Sequence, residues 1–159
     1  MTRTTIGMLA VAGAAVAAAA TLASAPAVQA QSGGAAAVIR ERQEGFRQMN
    51  AILRRFRDTL QARGEVRPLA SQVDEMLAYY RTLHERFPPG SDTGAETWAR
   101  PEVWSNRPLF EQRAAAMLPE LEKLKAAAAS GDAAATGRQL QAVGAACTAC
   151  HDSFRRPRS

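Results

Sequence analysis

Near the C-terminus of the chain, Cys147-Thr148-Ala149-Cys150-His151 brings two thiols and an imidazole into five consecutive positions. Two thiols at this spacing can each add across a vinyl group of one haem, and the histidine that follows sets a ring nitrogen beneath the iron. That is the chemistry of c-type haem attachment. On a helix, positions 147, 150 and 151 are related as i, i+3 and i+4 and share one face. A single helical segment can then both staple the macrocycle and ligate its metal, with His151 as the metal ligand.

Other chemistries suit these residues less well. A thioredoxin-like redox pair sits at the head of a helix that follows a strand, and nothing strand-like precedes Cys147. A zinc site needs four ligands. With two cysteines and two histidines in the whole chain, it would have to recruit His84 and force the adjacent Cys150 and His151 onto one tetrahedral ion. A disulfide between Cys147 and Cys150 would close a tiny loop and gain little chain entropy. The expected cofactor is therefore one haem c, held through two thioethers.

The start of the chain reads as an export signal over residues 1–30. Arg3 supplies the positive region, an apolar run extends from about Ile6 to Leu22, and Val28-Gln29-Ala30 forms a small-residue cleavage site before Gln31. The run is poor in Leu and Ile for a retained anchor, so no membrane span is expected after cleavage. The mature chain, residues 31–159, is long enough for one small domain with one core. Export agrees with thioether formation outside the cytoplasm and points to a bacterial periplasm. The chain carries a formal charge of +5, but its cations alternate with acids along helices, which argues against a nucleic-acid footprint. Arg155-Arg156-Pro157-Arg158 is the exception. It either complements the dipole of a helix C-terminus or docks an acidic redox partner.

The elements that must carry the motif follow from periodicity. From about Ala35 to Ala62, after a loose lead-in at 31–34, Ile39, Phe46, Met49, Leu53, Phe56 and Leu60 recur in steps of three and four, the seam of a helix. One gap in that seam is filled by Arg42. A guanidinium there either pairs with an anion such as a haem propionate or snorkels to solvent near the helix start. A second helix is expected over about 69–86, with Val73, Met76, Leu77, Tyr80 and Leu83 on one face. It stops at Pro88-Pro89, and His84 near its end reads as a surface or cap residue. The 91–107 connection holds Trp98 and Trp104, indoles expected to pack on helix ends or on a cofactor edge. A third helix over about 108–129 shows Phe110, Ala114, Met117, Leu121 and Leu124, with a bend between Ala115 and Pro119. The last runs over about 132–155, with Asp132 as N-cap, and Gly144 is expected to leave room for a flat ring. Four helices with no strand signal predict an all-α, antiparallel up-down-up-down four-helix bundle.

The combined pattern resembles cytochrome c′, the high-spin branch of the class II c-type cytochromes. The points of match are Cys147-x-x-Cys150-His151-Asp152-x-Phe154-Arg155, Arg42-Gln43-x-x-Phe46-x-x-Met49, and Ala99-Arg100-Pro101-Glu102-Val103-Trp104-Ser105. The resemblance implies a five-coordinate haem with His151 as its sole protein ligand, Arg42 at a propionate and Arg155 over the proximal face. It places Phe46 on the distal side, where low-spin relatives carry methionine. Phenylalanine offers no lone pair, so the sixth site should be vacant but crowded, with Met49 as core. His84 falls near a tryptophan of the family and could reach a propionate. The expected function is binding of nitric oxide and carbon monoxide, with electron shuttling; the alternative is a closed, low-spin electron carrier. A wall made by Phe46 is expected to hold no hydrogen-bond donor, and no substrate turnover is expected. The resemblance also implies a homodimer.

Overall fold

The computed structural model describes residues 25–157, with side chains from Gly34 onward. The apolar run and Arg3 of the expected signal segment lie outside the described residues. Among the described residues all regular structure is helical.

The first helix, α1 (Ala25–Gln61), begins ten residues before its expected start. Its seam is as the periodicity placed it: Ile39, Met49, Leu53 and Phe56 are buried, joined by Ile52. The second segment is shorter than expected. A 3₁₀ turn at Arg67–Leu69, led by Pro68, precedes α2 (Gln72–Arg81), and a second 3₁₀ turn at Leu83–Arg86 follows. Thr82 leaves helical geometry between them, tightening the chain ahead of Pro88. The expected bend in the third helix is a break at Ala116, which divides α4 (Arg107–Ala115) from α5 (Met117–Ser130). Pro119 cannot donate to the carbonyl of Ala115, so that turn opens one residue later. Between α2 and α4 the long connection holds an unpredicted helical turn, α3 (Glu102–Ser105), started by Pro101.

The motif helix, α6 (Ala133–Phe154), is capped by Asp132, whose carboxylate accepts from the Ala135 N–H at 2.8 Å. Gly131 ends α5 with a φ of 80°, a left-handed C-cap that a side chain would strain. α5 packs along α6 and against α2, and α1 packs on both α2 and α6. The four long segments thus close a ring in which α2 lies diagonally across from α6. The core between them is apolar, with Val73, Met76, Leu121, Leu124 and Val143 fully buried.

The close approach of α1 to α2 depends on Gly45. A Cβ there would lie 2.1 Å from Cε2 of Tyr79, so only a residue without one lets the ring pass. The Tyr79 hydroxyl donates to the Arg42 carbonyl at 2.9 Å. This bond fixes α2 in height against the turn of α1 that bears Arg42.

Candidate functional site

One cavity of about 380 Å³ lies where the ring of helices opens, and it is lined by all six residues singled out from sequence: Arg42, Phe46, Cys147, Cys150, His151 and Arg155. Its volume is in the range of small-molecule and cofactor sites. α6 contributes Cys147, Cys150, His151 and Phe154 from one helical face, while α1 contributes Arg42, Gln43 and Phe46. The floor is apolar. Phe87, Phe110 and Phe154 stack edge to face, with centroids 5.0 and 5.4 Å apart, and Trp104 extends the row from Phe87 at 6.1 Å.

Both thiols are free and half-buried. Burial pushes the Cys150 thiol up to about 11, with the neighbouring Cys147 adding to the rise and Arg113 opposing it. Burial also raises Cys147, against a contact with Tyr80 that lowers it. Both sulfurs therefore stay neutral S–H groups at neutral pH. That is the opposite of the depressed thiol that drives disulfide exchange, so the electrostatics count against a redox pair. Among the described residues no group of three or more His, Cys, Asp or Glu side chains could hold a bare metal ion.

Arg42 does not snorkel. Its side chain is 2% exposed and donates to Ser91 Oγ at 2.9 Å, Ser91 O at 2.8 Å and Thr97 Oγ1 at 2.9 Å. The guanidinium lies 4.5 Å from the centroid of Phe87. These partners are neutral oxygens, and burial holds the group below its ordinary pKa. The result is a cation on the cavity wall that also pins the 91–97 stretch to α1.

The same stretch is strapped at its other end to α6. The Arg100 N–H donates to Phe154 O at 2.9 Å, and the Arg156 N–H to Trp98 O at 2.8 Å, around a bridge between Ala99 and Arg155. The Arg156 guanidinium bonds the Thr97 carbonyl. Arg156 therefore latches this stretch to the end of α6, a role that charge counting could not reveal. Trp98 lines the cavity, and Trp104 donates to Pro88 O at 2.9 Å.

Met49, His84 and Gly144 also stand out in the sequence. Met49 is buried away from the cavity, as core. His84 does not line the cavity; its nearest carboxylate is Glu85 at 3.9 Å. Gly144 is exposed one turn ahead of Cys147 on α6, with nothing within 4 Å of where a Cβ would stand. The residue that sequence reading passed over is Tyr80. It was assigned to the apolar face of α2, yet it carries a hydroxyl into the wall beside Cys147. Its position on the α2 seam gave the direction, and only the polar tip went unused.

The site and fold define a helical protein built to hold a flat cofactor against two thiols and an imidazole. A family model described as Cytochrome C' matches residues 37–155. A cytochrome c′ of Alcaligenes xylosoxydans xylosoxydans is 36% identical over 91 residues, which is 55% of this chain and 69% of the relative. Cytochrome c′ from Thermochromatium tepidum superposes with a TM-score of 0.70 at 28% identity, covering 76% of this chain and 95% of that one. A nitric oxide complex of a cytochrome c prime variant from Alcaligenes xylosoxidans superposes with a TM-score of 0.69 at 26% identity, covering 78% and 97%. The chain belongs to the cytochrome c′ family. It is a four-helix bundle, and its cofactor is haem c.

Proposed function

We propose that this chain is a periplasmic haem protein that binds nitric oxide and carbon monoxide at an iron with His151 as its only protein ligand. In this reading Cys147 and Cys150 each give a sulfur to one vinyl carbon and the thiol hydrogen to its neighbour, turning each double bond into a single one. Their neutral, half-buried state suits that addition. His151, one position on from Cys150, would hold the iron through a ring nitrogen. When bound, the haem would supply an iron able to take up a small ligand.

The observation that carries the reading is the wall across from α6. Phe46 stands there with no lone pair to give, wedged edge to face on Tyr79 at 5.5 Å, and the neighbouring seam methionine, Met49, is packed into the core. A crowded apolar wall admits a small diatomic gas and excludes larger ligands. Arg42, bound to neutral oxygens alone, has its charge available to a propionate. Arg155, four positions after His151 and lining the same cavity, is assigned to the proximal side in this reading. Reversible binding, with electron exchange as a second role, is the activity proposed, rather than turnover of a substrate. Residues 1–30 act as the cleaved signal, residues 31–159 form the haem domain, and the mature protein pairs as a homodimer. Among the described residues no helix is long and apolar enough to cross a membrane.

The competing reading is a closed electron carrier with a sulfur as sixth ligand. Met117, on α5, is the methionine on the cavity wall, so that reading names its own donor. Optical spectra of the reduced holoprotein decide between the two. The proposal expects a high-spin spectrum that changes on adding carbon monoxide or nitric oxide. A sharp low-spin spectrum indifferent to carbon monoxide, and converted to high spin by Met117→Leu, would establish the closed carrier instead.

A further inference from the structure

The polar side chains around the cavity differ in what their donors are already doing. Gln43 Nε2 donates to Glu96 O at 2.8 Å, Asn50 Nδ2 to Phe46 O at 2.9 Å, and the Arg47 guanidinium is paired with Glu44 at 2.6 Å. The Tyr79 hydroxyl is committed to Arg42 O. Tyr80 is different, because its hydroxyl stands beside the side chain of Cys147.

That partner changes chemically when the cofactor is attached. A thiol can both donate and accept a hydrogen bond, whereas a thioether has no hydrogen and is a weak acceptor. The Tyr80 hydroxyl, which donates to that sulfur, is then left with only a poor acceptor, in a wall where polar groups need partners. Tyr80 also comes from α2, the helix diagonally across the ring from α6. It lines the same cavity as Phe46 of α1, on a helix that stands across the ring from the one bearing His151.

We propose that Tyr80 is a specificity-determining residue whose hydroxyl donates to a diatomic ligand held on the Phe46 side. Phe46 then sets the size of what enters, and Tyr80 favours ligands whose outer atom carries negative charge. This makes the pocket sterically tight yet not wholly apolar, in contrast to one walled by hydrocarbon alone. The inference rests on the gas-binding reading above.

The test is the infrared C–O stretch of the carbon monoxide-treated, reduced holoprotein. Wild type should show a lower frequency than Tyr80→Phe, and a band that moves in heavy water while that of Y80F does not. Loss of a net hydrogen bond should also speed carbon monoxide dissociation by about 2- to 10-fold. Tyr79→Phe, which removes a hydroxyl already in use, should leave the band in place. A wild-type band equal to that of Y80F and unmoved by heavy water overturns the inference while leaving gas binding intact. If Y80F does not accumulate, the heavy-water comparison on wild type decides alone. A holoprotein that refuses carbon monoxide overturns both readings.

Discussion

Replacing Arg42 by Met asks whether a buried cation built into a haem wall also supports the fold. The substitution keeps an unbranched, flexible stem in the seam of α1 and deletes three hydrogen bonds from a charged donor. Such bonds contribute roughly 1.5–3 kcal/mol each, and the contact over Phe87 adds about 1 kcal/mol. Against this, the variant no longer has to desolvate a guanidinium, which costs several kcal/mol at full burial. The oxygens left behind fare unequally. Ser91 Oγ still donates to Pro88 O at 2.8 Å, and Thr97 Oγ1 still accepts from the Ala99 N–H at 3.2 Å. The Ser91 carbonyl loses the Arg42 donor, at about 1–3 kcal/mol. The net loss should be about 2–4 kcal/mol. For a domain of this size that lowers Tm by roughly 10 °C. Urea unfolding of the haem-loaded protein measures it as a lower midpoint at unchanged slope. Arg42→Lys, which keeps the charge but not the planar fork, should recover less than half. If R42M stays within about 1 kcal/mol of wild type, the clamp on the 91–97 stretch contributes nothing and the reasoning fails.

Gly45→Ala should destabilise by about 1–3 kcal/mol despite its better helix propensity, because the added methyl meets the Tyr79 ring at 2.1 Å; a neutral result in urea unfolding would show that α2 can shift. Burial pushes the Tyr79 hydroxyl up to about 12, so the unfolded chain ionises first. Stability should be complete below pH 10 and decline as pH rises toward 12, and Tyr79→Phe should flatten that decline in an alkaline unfolding series. Arg156→Ala should free the loop end held at Thr97 and Trp98, seen as faster limited proteolysis between Ser91 and Ala99 with a change in global stability under about 1 kcal/mol; an unchanged cleavage rate would refute the latch.

Much of this arrangement is legible in the sequence. The steps of three and four that place Ile39, Met49 and Phe56 in the core are fixed by helix geometry, as is the shared face of Cys147, Cys150 and His151. Arg42 announced itself as a charge on an apolar seam. What filled its hydrogen bonds was not legible, since Ser91 and Thr97 lie 49 and 55 residues away in a stretch without periodicity. The same holds for Arg156, whose partners are loop carbonyls that any sequence provides. The close approach at Gly45 was not legible, because a glycine's neighbours across an interface depend on which helix comes to lie there. Tyr80 was read by its ring alone, and its hydroxyl gained meaning only when Cys147 was found beside it.

Gas binding beside His151 requires haem c to be covalently held through Cys147 and Cys150. The intact mass of the exported protein under denaturing conditions tests this most directly. The predicted result is the chain from Gln31 plus one haem, falling to the bare chain when both cysteines are replaced by alanine. An exported wild-type protein with the mass of the unmodified chain would contradict it.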